Sequence, residues 1–113
     1  MRIVLKSKIH KATVTQAKLH YIGSITIDEV LLKKANIWPG EKVLVVSNTT
    51  GARLETYTIA GPKNSGVICM NGACSHLIKK GHEVIIMAFE ITAKPVKPKM
   101  ILVDKKNKFE RYL

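Results

Sequence analysis

The fold class predicted for this chain of 113 residues is mainly β: a small barrel with two short helices. Three observations point there. Many short stretches alternate or are rich in β-branched residues, as half-buried strands are. Only two stretches have helix signals at both ends. A helix, a glycine break and an apolar strand also occur twice: Leu32-Lys33-Lys34 leads to Gly40-Glu41-Lys42-Val43, and Ile78-Lys79-Lys80 leads to Gly81-His82-Glu83-Val84. A barrel with a pseudo-twofold axis would produce that repeat. Parallel α/β architecture would need more and longer helices.

In chain order, Arg2 to Lys8 and Ala12 to Gln16 predict two strands, and Ser24 to Ile27 a third. Asp28 is a good N-cap for a helix that carries Glu29 in its first turn. Asn36 to Gly40 ends that helix. Val43 to Ser47 is an apolar strand, and Asn48-Thr49-Thr50-Gly51 a turn. Arg53 to Ala60 alternates, with Arg53, Glu55, Tyr57 and Ile59 on one face and Leu54, Thr56, Thr58 and Ala60 on the other. A loop rich in breakers, 61–66, precedes a strand over Val67 to Met70. Asn71-Gly72 turns the chain into a short helix from about Ala73 to Lys79. Glu83 to Thr92 is the longest strand. Lys94 to Pro98 is a stiff connector, Met100 to Val103 a last strand, and Lys105 to Leu113 a charged, loose tail.

At this length a single domain, residues 1–113, is expected. No apolar run is long enough to span a bilayer, and the N-terminus is charged too early for a signal peptide, so a cytoplasmic location is expected. Cys69 and Cys74 lack the partners a zinc site needs and read as reduced, partly buried thiols. The net charge of +11 admits nucleic acid, an acidic surface or an anionic substrate as partners. The lysines are scattered and few aromatics accompany them, so most are read as a solvated surface.

The stretch His20 to Asp28 carries the chemistry. A serine hydroxyl can attack the carbonyl just before it, turning the amide of Gly23-Ser24 into an ester. Elimination of the ester then leaves a pyruvoyl group at the new terminus. The attack needs an unusual backbone and a stabilised oxyanion, and a glycine before the serine tolerates the strain. Alone, Gly-Ser is a common turn dipeptide, so the case rests on its companions.

Those companions are Lys8-Ile9-His10, Tyr21-Ile22-Gly23-Ser24, Ile27-Asp28, Arg53, Thr56-Tyr57 and Asn71-Gly72-Ala73. In order and spacing the set resembles the bacterial, pyruvoyl-dependent aspartate decarboxylase family of pantothenate biosynthesis, over about Met1 to Ala93. The resemblance implies a double-psi β-barrel and a homotetramer with active sites between subunits. It implies self-cleavage into a β chain of residues 1–23 and an α chain of residues 24–113. Ser24 would become a covalently bound pyruvoyl cofactor, with no metal and no pyridoxal phosphate. Its carbonyl would form a Schiff base with the amine of L-aspartate, whose α-carboxylate leaves as CO2 to give β-alanine.

The same resemblance assigns the other residues. Thr56 would polarise the Gly23 carbonyl during cleavage, and Tyr57 would return a proton to the substrate carbon. Arg53 and Lys8 would hold carboxylates, and Asn71, Gly72 and Ala73 would line the pocket. Tyr21 and His10 would lie near the cleavage site. An arginine suits a bidentate carboxylate grip and a tyrosine suits general acid catalysis. The alternation puts Thr56 on the face opposite Arg53 and Tyr57, which is awkward for one shared pocket. The family usually has a further alanine where this chain has Cys74, a thiol open to modification near a reactive carbonyl.

A second resemblance covers less. Ser24 to Val46 is similar to the swapped-hairpin DNA-binding module of bacterial transition-state regulators and antitoxins, and the charge would suit phosphate contacts. That module usually has proline where Asp28 stands, and it leaves half the chain unexplained. A non-catalytic barrel is the third reading. The decarboxylase reading expects neither nucleic acid nor membrane as partner and leaves the need for a maturation factor open.

Overall fold

A computed structural model describes residues 1–113 as nine strands and two short helices. They run β1 (Arg2–Thr13), β2 (Gln16–Lys18), β3 (Ser24–Asp28), α1 (Glu29–Ala35), β4 (Lys42–Ser47), β5 (Arg53–Gly61), β6 (Ile68–Asn71), α2 (Cys74–Leu77), β7 (Glu83–Thr92), β8 (Lys99–Val103) and β9 (Phe109–Tyr112). Hydrogen bonding orders the strands β2-β6-β3-β5-β4-β7-β1-β8-β9. The chain itself closes this ladder. β1 runs through a short bend into β2, and β2 pairs with β6 at the far end. At the bend, the Thr15 backbone N–H and hydroxyl both donate to the Ile68 carbonyl, and the Ile68 N–H donates to the hydroxyl. The result is a small barrel of β1/β2, β7, β4, β5, β3 and β6, in which the β3–β5 and β2–β6 pairs are parallel.

Alternation fills the interior. Ile9, Ala12, Ile25, Ile27, Val43, Val45, Ile68, Met70, Val84, Ile86 and Ala88 point inward and join a core of 19 buried residues. The glycine breaks and the strands of the two repeated units stand where the repeat predicts. Gly40 (φ +86°) and Gly81 (φ +89°) make the left-handed breaks, and the strands that follow, β4 and β7, pair antiparallel side by side.

Asp28 explains how β3 hands over to α1. Its buried carboxylate accepts from Val30 N (2.9 Å), capping the helix, and from Asn64 N (3.1 Å) and Gly66 N (2.8 Å) of the 61–66 loop. Glu29 in the first turn and Lys33 and Lys34 in the last complement the helix dipole, and left-handed Asn36 ends it.

Three sequence expectations are corrected. The break between the two N-terminal strands lies at Val14-Thr15 and not before Ala12: a left-handed bulge at Lys11 (φ +62°) lets the ladder to β7 continue to Thr13, and the second strand is Gln16–Lys18. The second helix is a single turn, Cys74–Leu77. Ala73 offers no capping side chain, and Ile78 leaves the helix in extended conformation to enter the core. The C-terminal residues are not loose. They form a hairpin with β8, anchored by the buried side chain of Asn107. Asn107 accepts from Thr13 N (2.8 Å) and donates to Thr13 O (2.8 Å) and Gly66 O (2.7 Å), tying the hairpin to β1 and to the loop that Asp28 holds. Charge along 105–113 hides this anchor from a composition-based reading.

Asn107→Ala removes those bonds, strands buried backbone groups and puts alanine at φ +60°. A loss of about 3 kcal/mol is expected, read from urea unfolding.

Candidate active site

Ser24 opens β3 and Asn71 closes β6, and the antiparallel register sets them opposite each other. The same register pairs Thr26 with Cys69. Ile25 and Met70, between them, face the core, so these four side chains share the other face of the β3–β6 ribbon. Ser24, Cys69 and Asn71 are buried there and Thr26 is half-buried. The Asn71 amide binds them together. Nδ2 donates to Ser24 Oγ (3.1 Å) and Thr26 Oγ1 (2.9 Å), and Oδ1 accepts from Cys69 Sγ (3.2 Å). Burial pushes the Cys69 thiol above its ordinary value against the pull of Lys18, so it keeps its proton at neutral pH.

The backbone is strained at the same point. Ser24 has φ +132°, a conformation that costs a residue with a side chain about 1–3 kcal/mol. Gly72 (φ +60°) lies against the segment before it. A Cβ on Gly72 would stand 2.9 Å from Gly23 Cα, 2.9 Å from Tyr21 O and 3.0 Å from Gly23 N. Gly72 N also donates to Lys18 O (2.9 Å), fastening the turn to the strand before the loop. The Asn71-Gly72 turn is therefore pressed onto Gly23 and the Tyr21 carbonyl, just before the Gly23-Ser24 peptide, and only glycine fits at 72.

The parallel β3–β5 register starts at Ile25 opposite Thr58. Continued back, it brings Tyr57 level with Ser24 and Thr56 level with Gly23. Tyr57 and Arg53 lie on the outer face of β5, exposed, on the side Ser24 occupies. Thr56 pairs with Val43 and faces the other way, so the sequence-derived split between Thr56 and Tyr57 holds in the structure. No side-chain hydrogen bond joins Thr56 to Gly23. Arg53 and Lys8 have no acidic partner, unlike their neighbours Lys42, paired with Glu55 (2.9 Å), and Lys6, paired with Glu41 (2.8 Å).

Lys8 stands elsewhere. It pairs with Met87 of β7, and the row continues through Leu44 to Glu55. Lys8 thus shares the outer face, but its strand, β1, pairs with β7 and β8 and not with β3 or β5, which carry Ser24, Arg53 and Tyr57. Tyr21 is exposed, with Lys18 Nζ 3.2 Å from its hydroxyl and stacked over its ring. Ala73 is exposed beside the turn, and Cys74, which starts α2, packs against the core. His10 lies on β1, with Nδ1 shut off from solvent and from any hydrogen-bond partner.

Sequence reasoning placed Asn71 at the site but left Cys69 and Thr26 out of it. Their signal was the two-residue alternation Cys69/Asn71 and Ser24/Thr26. It becomes legible only once the register of β3 on β6 is known.

Comparison with known proteins fits this arrangement. Residues 1–110 match the family described as aspartate decarboxylase. The chain belongs to that family. The match extends past Ala93, where the resemblance seemed to stop, and takes in both Ser24 to Val46 and the half that a DNA-binding module would leave over. A protein of Bacillus pumilus named aspartate 1-decarboxylase is 52% identical over 99% of this chain and 91% of its own length. One of the same name from Pelotomaculum thermopropionicum is 53% identical, covering 93% and 83%. Another from Moorella thermoacetica is 54% identical, covering 95% and 87%.

Burial pushes the His10 imidazole below its ordinary value, Lys8 and Lys11 add to this, and Glu83 opposes it. The folded protein therefore binds the proton less tightly than the unfolded chain. The contribution of His10 to stability is complete above about pH 6.5 and is lost as pH falls through its lowered folded value. In paired melting curves at pH 7.5 and 5.5, His10→Gln is expected to lose less stability than the parent.

Proposed function

We propose that the chain cuts itself between Gly23 and Ser24 and then decarboxylates L-aspartate to β-alanine. The observation that carries the reading is the strained, buried Ser24 held under Asn71, with Gly72 pressed against Gly23, the residue before the bond to be cut. Membership of the aspartate decarboxylase family supplies the reaction class.

In the first step Ser24 Oγ bonds to the Gly23 carbonyl carbon. The Gly23–Ser24 C–N bond breaks, and the hydroxyl proton passes to the Ser24 nitrogen. Residue 24 then loses its Cα proton to solvent and its Cβ–Oγ bond, and Gly23 leaves as a carboxylate. The enamine that remains takes up water and releases ammonia, giving chains 1–23 and 24–113. The strain at Ser24 lowers the barrier to the shift, because cleavage releases it. A hydrogen bond from Asn71 Nδ2 to Oγ stabilises the negative charge that grows there as the ester breaks. Thr56, level with Gly23, is the residue proposed to polarise its carbonyl.

The pyruvoyl group at position 24 supplies a carbonyl conjugated to an amide, an electron sink for loss of the α-carboxylate. The surrounding Thr26, Cys69 and Asn71 fit such a group, being compact, buried or half-buried, and able to hydrogen-bond. Tyr57 beside position 24 is suited to give a proton to carbon. Arg53, without an acidic partner, is suited to grip a substrate carboxylate.

Lys8 stands on β1, which pairs with neither β3 nor β5, so no strand pairing brings it to position 24 of its own subunit. A neighbour's Lys8 is the one that would reach it, and the proposed assembly is a homotetramer with shared sites. The outer face supports this. Ile3 (73% exposed) and Ile91 (67%) lie with Phe89 and Leu44 along a groove of about 470 Å³, an apolar surface suited to subunit contact. No helix is long and apolar enough to cross a membrane, and a cytoplasmic location is proposed.

An intact-mass spectrum under denaturing conditions tests the cleavage. Two species matching 1–23 and 24–113 are expected, the larger bearing a carbonyl in place of its amino group. A full-length mass that persists through warm incubation would sink the reading. Gly72→Ala, by forcing the turn off Gly23, is expected to slow cleavage at least about tenfold. Tyr57→Phe is expected to cleave normally yet lose roughly 100-fold or more in CO2 release from aspartate.

A further inference from the structure

The Asn71 amide can sit in two orientations related by a half-turn, and its partners on β3 do not choose between them. Ser24 and Thr26 are hydroxyls, which donate or accept equally well. The remaining contact is Cys69 Sγ at 3.2 Å from Oδ1. A buried, protonated thiol is a donor first and only a weak acceptor, so it favours the carbonyl end of the amide on its own side. That choice sends Nδ2 toward Ser24 and Thr26.

We infer that Cys69 is a positioning residue for self-cleavage, holding the Asn71 amide with its N–H groups on Ser24 Oγ. The inference rests on the cleavage reading and adds a residue to it. Orientation matters because Oγ changes role. As the Cβ–Oγ bond breaks, Oγ takes the electron pair and becomes a carboxylate oxygen of Gly23. With Nδ2 facing it, that charge is met by a donor in a buried site. With Oδ1 facing it, the charge meets a carbonyl dipole of the wrong sign. A reversed amide would also draw the Ser24 proton onto Oδ1, away from the nitrogen that must receive it. Thr26 contributes by occupying the second Nδ2 proton, which aligns the amide plane along the ribbon.

The role differs from that of Asn71 or Ser24, since the thiol bonds to Asn71 and not to Ser24 itself. Its thiol is enclosed within a single chain, so the arrangement does not depend on a neighbouring subunit.

The test uses full-length parent, Cys69→Ala and Cys69→Ser, each purified as precursor and followed by intact mass over time. Hydroxylamine is added to aliquots to cut any ester at Gly23. Melting temperatures report folding. Cys69→Ala is expected to cleave about tenfold more slowly and to accumulate hydroxylamine-sensitive ester, while melting close to the parent. Cys69→Ser, whose hydroxyl can donate to Oδ1 but can equally accept from Nδ2, is expected to recover only part of the loss and to cleave at a rate between Cys69→Ala and the parent. Rescue by serine is the outcome that a purely packing role would not give. If Cys69→Ala cleaves at the parental rate, or Cys69→Ser is as slow as Cys69→Ala, the inference is overturned. A parent chain that never cleaves overturns the cleavage reading, and this inference with it.

Discussion

The close approach of two backbones, Gly72 on Gly23, is the constraint around which the site is arranged. A Cβ at position 72 would stand 2.9 Å from Gly23 Cα, so the turn can lie that near only with glycine there. The approach fixes the end of β6 against the start of β3. The register then follows: Ser24 opposite Asn71, Thr26 opposite Cys69. From β3 the parallel register carries on to β5 and brings Tyr57 beside Ser24. The functional face of three strands is thus set by one contact between two residues without side chains.

The barrel holds this contact in place from both sides. Behind it, Ile25, Ile27, Ile68 and Met70 are buried in the core and keep the β3–β6 ribbon from sliding, because a slip of one residue would turn them outward. Beyond it, Asp28 ties the end of β3 to α1 and to the 61–66 loop, and Asn107 ties that loop to β1 and the C-terminal hairpin. Each is a buried polar side chain whose partners are backbone groups of distant segments. Such a frame supports strain at Ser24 locally, since the surrounding strands cannot relax to relieve it.

Much of this was legible from sequence, and what was not has a common physical cause. Strand alternation along Arg53 to Ala60 and the Asp28 cap are local patterns, and each appears as read; of the repeated helix–glycine–strand unit the glycine breaks and the strands appear, but Ile78-Lys79-Lys80 lies outside the second helix. The division of Thr56 from Tyr57 followed from the same alternation. The bulge at Lys11 was missed because a left-handed lysine has no local signature. The C-terminal hairpin was missed because its anchor, Asn107, bonds to residues 94 and 41 positions away. Cys69 was read correctly as a reduced thiol, but its partner Asn71 is meaningful only once β3 is known to lie alongside. Local chemistry reads from sequence; cross-strand chemistry waits on register.

The outer face joins chemistry to assembly. Its groups divide by distance from Ser24. Tyr57 is adjacent, Arg53 lies four residues along the same strand at ~13 Å, and Lys8 is on a strand that pairs with neither β3 nor β5. A long arginine side chain can cover part of its gap. The face between Lys8 and Ser24 is also where Leu44, Phe89, Ile91 and Ile3 are exposed or half-buried. In the proposed shared site, a second copy covering this apolar surface would also bring its own Lys8 toward the first Ser24. Burial of that surface and completion of the site then become the same event. A subunit that has not assembled would hold the residues for self-cleavage, which all lie within one chain, yet lack a full substrate grip. Maturation and catalysis would thereby be separable on physical grounds, the first depending on the β3–β6 ribbon and the second on the oligomer.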